Sequence, residues 1–305
     1  MRLSKYQLAV LALIGTNIIW GASVPIFKWS LADTDPFTFA FLRFFFASLF
    51  LLPFTLHKLK INRHDAITFF VLAFFGFFIH IALLLFGLKI SSSINSPIIA
   101  SSAPVFLILG SYFFLKEKIS QKVLMGTIIS LAGVSIIILR PLFDHGMDGT
   151  ILGNSLFLLS TISFVIYTIL LKGHSFRHSA TTVTFYLFAF ATLIFLPFFL
   201  WETNTHNIFQ MIDTRALIGI LFGAIFTSSL GYVFFNFAIR VIKASETGVY
   251  LYIDPLITIL IAVPLLGEHV TRSFVAGSIL VFFGIFVAEK RLHYHPVNWF
   301  LKKNP

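Results

Sequence analysis

Ten long apolar stretches, separated by short charged breaks, run through the whole chain. Each is long enough to cross the hydrocarbon core of a bilayer as a helix, which takes about 17–25 residues. The stretches are residues 6–31, 36–57, 66–88, 92–115, 123–140, 151–171, 180–201, 215–239, 245–266 and 273–289. Lipid cannot hydrogen-bond to the backbone, and the runs are continuous and not alternating, so helices are expected and barrel strands are not. The sequence therefore predicts an all-α polytopic membrane protein with ten transmembrane helices.

The composition excludes most classes of soluble protein. Hydrophobic residues make up 58% of the 305 residues and charged residues 11%, whereas soluble domains have about 45–50% and about 25%. So few charges could not cover the surface of a soluble globule. We therefore expect neither a soluble enzyme nor a disordered protein. The chain has no Cys, which excludes disulfide bonds and cysteine-based metal sites.

Basic residues are concentrated in the breaks on one side of the predicted spans. If the N-terminus is cytoplasmic, 16 of the 22 Lys and Arg residues fall on the cytoplasmic side and five on the outer side, with Arg43 inside a span. This bias predicts cytoplasmic N- and C-termini in an inner (plasma) membrane. The charges are spread over short loops, so the net charge of +10 does not indicate a nucleic-acid partner. The first stretch is too long for a signal-peptide h-region and is interpreted as a retained span.

The two halves of the chain resemble each other at fixed spacing. Five residues of the first half recur as the same residue types 151 positions later. They are Pro104, Glu117, Gly126, Gly133 and Arg140, which match Pro255, Glu268, Gly277, Gly284 and Arg291. Earlier in each half the shift is 144, as for Lys28 and Lys172. Each half holds an odd number of spans, so the second copy should cross the membrane in the opposite direction. We expect two inverted five-helix repeats, residues 1–145 and 146–292, and a cytoplasmic tail, residues 293–305.

With this repeat, the chain resembles EamA-type members of the drug/metabolite transporter superfamily. The resemblance covers essentially the whole chain and is carried by the repeat ends, residues 104–117 and 255–268, and by Trp20-Gly21 and Arg43-Phe44. It implies a ten-helix carrier with a central cavity, often one that exports amino acids or other small metabolites. The second copy has Phe164-Val165 in place of Trp20-Gly21, so the two halves are not expected to be functionally equivalent.

Asp254 is the carboxylate that falls well inside a predicted span. A carboxylate at the bilayer centre costs about 2.5–3.5 kcal/mol on insertion scales, so such a residue usually faces a cavity. Thr247, Tyr250 and Thr258 share its helical face. We interpret Asp254 and Tyr250 as substrate-binding residues, with Asp254 accepting a cationic group or exchanging it for a proton. The alternative is a hydrogen-bonded Asp beside the helix break at Pro255.

Two further ionisable residues lie inside predicted spans. His80 is past the middle of the third stretch, and an imidazole titrates near neutral pH, so His80 could carry a proton. The alternative for His80 is a packed, hydrogen-bonded side chain. Arg43 lies about one third of the way into the second stretch. It could bind an anionic group, or its charged end could extend outward to the interface.

Aromatic and amide side chains recur at helical spacing on three other spans. Rings that carry one hydrogen-bond donor suit an amphipathic or aromatic substrate. The residues expected to line the cavity are Asn17 and Trp20 on the first span, Tyr167 on the sixth, and Tyr232 and Asn236 on the eighth. The alternative role of such polar groups is to bond neighbouring helices together, at roughly 0.6 kcal/mol per contact.

These observations predict a secondary transporter that works by alternating access and exports amino acids or related small metabolites. The expected partners are a small-molecule substrate, the lipid bilayer and protons, and the sequence has no glycine-rich phosphate loop for ATP. One alternative is an importer or exchanger of a larger, nucleotide-like metabolite. Another is an intramembrane lipid-modifying enzyme, which needs paired catalytic groups, and Asp254 and His80 are the only deep pair available.

No cofactor, catalytic residue or metal is expected from the sequence. His174 and His178 have the spacing of two metal ligands on one helix turn, but they lie in a break between predicted spans. A zinc site usually has at least three protein ligands, and no third ligand is evident nearby in the sequence.

Overall fold

The structure is a computed structural model that describes residues 4–56, 61–103, 105–106, 121–144, 149–174, 178–205, 212–242, 250–251 and 253–288. In these ranges the regular secondary structure is helical, and they contain no strand. The predicted all-α class is therefore confirmed for this part of the chain. Pro104, Glu117, Thr247 and the predicted tail, residues 293–305, lie outside the described residues.

The helices are numbered α1 to α10 in chain order. They are α1 Lys5–Ser30, α2 Pro36–Leu51, α3 Arg63–Ile90, α4 Asn95–Ala100, α5 Gln121–Asp144, α6 Gly149–Gly173, α7 Ala180–Thr205, α8 Thr214–Val241, α9 Ile253–Leu266 and α10 Arg272–Ala288. A 3₁₀ turn, Leu52–Phe54, extends α2. Each helix coincides with one of the predicted stretches, and α4 covers only part of the stretch at 92–115.

Six of these helices are long and apolar enough to cross a membrane by length and composition, namely α1, α2 with its 3₁₀ turn, α3, α6, α7 and α8. Shorter apolar helices lie at Leu124–Leu139, Ile253–Leu266 and Arg272–Val287, within α5, α9 and α10. Much of the fourth predicted stretch is outside the described residues. The chain is therefore a multi-pass helical membrane protein, and the count of ten spans stays a prediction.

Local sequence signals fix where several helices begin. Ser4 and Gln7 form a capping box at the start of α1, in which each side chain accepts a hydrogen bond from the backbone N–H of the other. Asn62 and Asp213 cap α3 and α8 by accepting from a backbone N–H three residues further on. Pro36 is in the first turn of α2, where its missing N–H removes no helical hydrogen bond. These signals keep the polar residues at the ends of the apolar helices.

Close helix pairs build the bundle. α1 packs against α8 and α9, α6 against α3 and α4, α2 against α7 and α8, and α5 against α10. Glycines bring α5 and α10 together, because a Cβ at Gly133 would lie 2.6 Å from the Gly277 carbonyl oxygen. A Cβ at Gly284 would lie 2.6 Å from the Gly126 carbonyl oxygen. Small residues permit this close approach, and the order of the two contacts shows that α5 and α10 are antiparallel.

Wide π-helical turns interrupt α3 at Phe74–Ile79 and α8 at Gly223–Gly231. Such turns are rare and occur frequently at functional sites. A side chain from a neighbouring helix bonds to the first of them, since Ser163 of α6 donates to the Phe75 carbonyl at 2.7 Å. The π turns therefore offer backbone acceptors to side chains of adjacent helices.

Glu268 lies just after α9 and links the C-terminal end of this helix to α1 and to the connection before α4. Its carboxylate accepts hydrogen bonds from Lys28 Nζ at 2.7 Å and from hydroxyl or backbone groups of Ser92, Ser93 and Ile94. Burial alone raises the pKa of the Glu268 carboxyl, but the hydrogen bonds from Lys28, Ser93 and Ser92 outweigh burial and lower the pKa below its ordinary value. We call this group of contacts the Glu268 clasp.

Candidate functional site

An aromatic cluster fills the interior between α1, α6 and α8. The Trp20 ring centroid lies 4.9 Å from that of Tyr232, 5.2 Å from that of Phe235 and 5.7 Å from that of Phe164. The indole N–H donates to the Thr227 carbonyl in the π turns of α8, at 3.4 Å. Trp20 is thus held by rings and by a hydrogen bond. The structure brings together Trp20 and Tyr232, two of the residues expected from the sequence.

A cavity of about 30 Å³ lies beside the aromatic cluster, mainly between α1 and α6. Asn17, Trp20, Phe164 and Thr168 are among the residues of its wall. Asn17 Nδ2 donates to the Leu13 carbonyl at 2.7 Å, whereas the buried Asn17 Oδ1 has no hydrogen-bond partner among the described residues. Leaving a buried acceptor unpaired costs about 1–3 kcal/mol. A donor group on a bound molecule would recover this free energy.

Tyr167 and Asn236, also expected at the site, are bonded to each other. The Tyr167 hydroxyl donates to Asn236 Oδ1 at 3.0 Å, and Asn236 Nδ2 donates to Thr184 Oγ1 at 2.8 Å. All three side chains are buried. The bonds join α6, α8 and α7, so these groups link neighbouring helices in this structure.

His80 follows directly after the π turns of α3 and is bonded to α6. Its Nδ1 lies 2.7 Å from Ser160 Oγ and 3.0 Å from the Ser160 carbonyl oxygen. The imidazole also packs 5.0 Å from the Phe164 ring, measured between centroids. His80 therefore lies at the edge of the aromatic cluster as a hydrogen-bonded side chain.

Arg43 is buried in the interior, with 1% of its surface exposed. Its Nε donates to Ser228 Oγ at 2.8 Å, and its guanidinium carbon lies 4.7 Å and 5.1 Å from the ring centroids of Phe27 and Phe44. Within the described residues no carboxylate pairs with Arg43, and its Nη1 is buried without a hydrogen-bond partner. The side chain therefore points into the protein and does not extend outward to the interface.

Asp254 and Tyr250 lie near the start of α9, where this helix meets α1. The two backbones are close, because a Cβ at Gly21 would lie 2.7 Å from the Asp254 carbonyl oxygen, and Thr258 Oγ1 donates to the Gly21 carbonyl. The buried Asp254 Oδ1 has no hydrogen-bond partner among the described residues, and Tyr250 packs half-buried against the core. In the described residues, no hydrogen bond joins Asp254 to His80.

Phe164 and Ser160 were not among the residues expected at the site. Phe164 contacts Trp20, and Ser160 holds His80. The sequence contained a signal for the first of these contacts, because the repeat shift of 144 relates Trp20 to Phe164. The shift marks Phe164 as the counterpart of Trp20, whereas the contact between the two rings depends on the tertiary structure.

The described ranges are helical, contain no strand and enclose an aromatic and polar interior. They define the chain as a polytopic helical membrane protein with a candidate internal site. The protein belongs to the EamA-like transporter family, whose model matches residues 7–139 and 151–289. The family resemblance seen in the sequence is thereby confirmed, and the chain is a transporter of this family.

Named relatives align over most of the chain. An uncharacterized transporter of Archaeoglobus fulgidus is 32% identical over 92% of this chain and 98% of its own length. An S-adenosylmethionine uptake transporter of Rickettsia conorii is 26% identical over 80% of each chain. A crystal structure superposes with a TM-score of 0.65 at 17% identity, covering 93% of this chain and 99% of that one. At this identity the structural likeness concerns the fold alone.

Proposed function

We propose that this EamA-family protein is a secondary transporter that exports amino acids or related small metabolites by alternating access. The observation that carries the proposal is the cavity between α1 and α6, with the Trp20 indole in its wall and with Asn17, whose Oδ1 has no hydrogen-bond partner among the described residues. Apolar rings beside a few polar groups are the usual composition of small-molecule sites. Such sites commonly have volumes of about 300–1,000 Å³, so substrate binding would require α1 and α6 to move apart.

Paired helix contacts support two inverted repeats as the moving parts. Thr16 of α1 donates to the Gly231 carbonyl of α8, and Ser160 of α6 donates to the His80 carbonyl of α3. The shift of 144 relates Thr16 to Ser160, and the shift of 151 relates His80 to Gly231. Each bond is thus the repeat counterpart of the other. The two ranges that the family model matches correspond to the two proposed repeats.

The glycine contacts between α5 and α10 follow the same rule. The shift of 151 relates Gly126 to Gly277 and Gly133 to Gly284, so it converts one of the two close contacts into the other. A self-complementary contact of this kind is expected around a two-fold axis. The cavity, bordered by Trp20 and its counterpart Phe164, would then lie at the repeat interface, where inverted-repeat transporters bind their substrates.

Two buried ionisable groups support a zwitterionic substrate. Among the described residues, neither Arg43 Nη1 nor Asp254 Oδ1 has a hydrogen-bond partner, and both atoms are buried. An ionisable group left unpaired inside a membrane is costly. A carboxylate could pair with Arg43 and an ammonium group with Asp254, which together are the charges of an amino acid. Arg43 donates to Ser228, and the Trp20 indole donates to the preceding residue, Thr227. The Arg43 guanidinium therefore lies beside the aromatic cluster.

A second function is favoured by one relative. The S-adenosylmethionine uptake transporter of Rickettsia conorii is named for a metabolite that joins an amino-acid end to a purine. An importer or exchanger of such a nucleotide-like metabolite would use the same charged groups for the amino-acid end. Its purine would stack on the rings of Trp20 and Phe164. Both functions share the site and differ in the substrate and the direction of flux.

The experiment is counterflow in liposomes that contain the purified protein and no ATP. A screen of metabolites for thermal stabilisation of the detergent-purified protein selects the substrates, with amino acids and S-adenosylmethionine as the two arms. We expect labelled substrate to accumulate against unlabelled substrate inside the liposomes. Accumulation of S-adenosylmethionine alone would favour the second function. Flux that requires ATP, or chemical conversion of a lipid, would contradict a secondary transporter.

The variant Arg43→Met tests the proposed contact with a carboxylate. A hydrogen bond to a charged group contributes about 1.5–3 kcal/mol, so we expect counterflow of a carboxylate substrate to fall at least about tenfold. Removing the buried charge should leave the protein folded, because the methionine retains an apolar stem in the position beside Gly223. Arg215→Met is the matched control, since Arg215 is exposed and pairs with Asp33. Equal flux in the two variants would remove Arg43 from the site.

A further inference from the structure

A second group of ionisable side chains lies at the end of the bundle where α3 begins and where α6 is joined to α7. His64 and Asp65 are in the first turn of α3, His174 follows α6, and His178 precedes α7. The three histidines surround a single carboxylate, although His178 is 113 residues from Asp65 in the sequence. None of these residues belongs to the proposed substrate site.

Two imidazole nitrogens approach the same carboxylate oxygen. Asp65 Oδ1 lies 4.0 Å from His64 Nδ1 and 3.7 Å from His174 Nε2. One ligand atom from each of these three residues lies within 4.8 Å of the other two. The rings of His64 and His174 stack, with centroids 5.4 Å apart and planes inclined by 21°.

His178 holds the other carboxylate oxygen. Its Nε2 lies 3.0 Å from Asp65 Oδ2, and its ring packs 6.0 Å from the Phe69 ring, measured between centroids. The backbone carbonyl of His178 accepts a hydrogen bond from Arg240 Nη1 at 2.8 Å. These contacts fix the carboxylate with Oδ1 turned toward the other two histidines. Ligating carboxylates in metal sites are usually hydrogen-bonded in this manner.

We propose that His64, Asp65 and His174 bind a divalent transition-metal ion, for which Zn²⁺ is the best fit, and that His178 positions Asp65. Zinc bonds to nitrogen and oxygen of about 2.0–2.2 Å place tetrahedral ligand atoms roughly 3.3 Å apart. The present ligand atoms lie within 4.8 Å of one another, which is longer, and a rotation of His64, whose side chain is 77% exposed, would shorten the separations that involve His64. Two imidazoles and one carboxylate suit zinc, whereas Mg²⁺ and Ca²⁺ prefer oxygen ligands. Solvent would occupy the fourth position.

The metal would connect the two matched halves of the chain. His64 and Asp65 belong to the range 7–139 and His174 to the range 151–289. An ion that binds the folded state and not the unfolded chain stabilises the fold by an amount that grows with the logarithm of its concentration relative to its Kd. Zinc should therefore raise the thermal unfolding midpoint of the protein.

Zinc binding is measured on the full-length protein in detergent, purified with a tag that contains no histidine and stripped with a chelator. Competition with a chromophoric chelator should give one equivalent of bound Zn²⁺ with a micromolar or tighter Kd. The double variant His64→Ala/His174→Ala should lose at least about 100-fold in affinity, and His178→Ala about 10–100-fold, as for other groups that orient a ligand. His269→Ala, an exposed histidine remote in sequence from the cluster, is the matched control and should bind like the wild type.

The absence of stoichiometric binding to the wild type would overturn the proposal, and so would equal affinity of the wild type and the double variant. If the double variant fails to fold, the single variant His64→Ala replaces it, because His64 is at the surface. A second measurement is the visible spectrum of the wild type with Co²⁺. An intense absorption is expected for tetrahedral coordination, and the weak spectrum of hydrated Co²⁺ would contradict the site.

Discussion

Among the buried side chains, a few retain polar atoms that no other group satisfies. Tyr167 and Asn236 bond to each other, whereas Asn17 Oδ1, Arg43 Nη1 and Asp254 Oδ1 are buried without partners. Buried polar atoms are nearly always hydrogen-bonded, so each exception needs a physical explanation. Binding of a substrate supplies one, because the substrate would provide the missing partners.

Asp254→Asn tests whether this carboxyl takes part in coupling to protons. The amide retains the size of the side chain and cannot release a proton, so the variant should insert and fold while flux falls sharply or loses its dependence on pH. The measurement is counterflow at several values between pH 5 and pH 8, with the amount of reconstituted protein held equal. Flux equal to the wild type across this range would remove Asp254 from the mechanism.

Single residues were predictable where chemistry or the repeat marked them. The aromatic character of Trp20 and Tyr232 was sufficient to predict their place in the interior, and they are in contact. The cluster around Asp65 was not predictable, because His64 and His174 come together only through packing between α3 and α6, which are far apart in the sequence. Proximity of residues so far apart in the sequence depends on tertiary structure, which periodicity does not encode.

At the level of helices, the π turns of α3 determine the packing of α6. Gly76 lies within these turns, and a Cβ there would lie 2.5 Å from the Tyr167 ring. Gly76→Ala should therefore displace Tyr167 and lower the free energy of unfolding by about 1–3 kcal/mol. Gly15→Ala is the matched control, since its Cβ would lie 3.6 Å from Phe234, and alanine favours a helix by up to about 1 kcal/mol.

Thermal unfolding of both glycine variants in detergent tests this packing. A lower midpoint for Gly76→Ala and an unchanged or higher midpoint for Gly15→Ala are expected. The same midpoint in both variants would show that the contact between α3 and α6 is loose. No sequence signal predicted the π turns, because their residues are as apolar as those of the adjoining α-helical segments.

The Glu268 clasp gives a stability that depends on pH. Because the pKa of Glu268 is lowered in the folded protein, its contribution is fully present above the ordinary pKa of a glutamate and is lost as the pH falls through the folded value. Glu268→Gln would turn an amide N–H toward donors from Ser92, Ser93 and Ile94. We expect a loss of about 1–3 kcal/mol at pH 7, which diminishes as the pH falls through the lowered pKa of Glu268 in the folded protein.

The control for the Glu268 clasp is Asp33→Asn, which removes an exposed ion pair with Arg215. Exposed pairs contribute little to stability, so this variant should unfold like the wild type throughout the pH range. Thermal midpoints of the three proteins, measured from pH 7 downward through the acidic range, decide the question. A deficit of Glu268→Gln that stays the same as the pH falls would assign the deficit to packing and not to charge.

At the scale of the whole molecule, the sequence predicted the helical class and the family because both depend on long apolar runs and on repeated spacing. Both signals extend over many residues, so an error in the interpretation of a single position does not change the prediction. The bonds from Thr16 and Ser160 to the π-turn helices agree with the spacing read from the sequence. The number of spans depends on the stretch around residues 104–120, which lies largely outside the described residues.

The predicted orientation of the chain can be tested because it has no Cys. Single cysteines placed at Lys60 and Asp148 should react with an impermeant maleimide from opposite sides of the membrane, the first from the cytoplasm. The positive-inside bias is the physical reason for this expectation. Labelling of both positions from the same side would contradict the topology and, with it, the inverted repeat.

Alternating access to the cavity between α1 and α6 is most directly tested by cysteine accessibility at Thr168, a residue of the cavity wall. In oriented vesicles, Thr168→Cys should react with an impermeant reagent from either side, and substrate bound in the cavity should slow the reaction from both. Reaction from one side only, whatever substrate or gradient is applied, would contradict transport through this cavity.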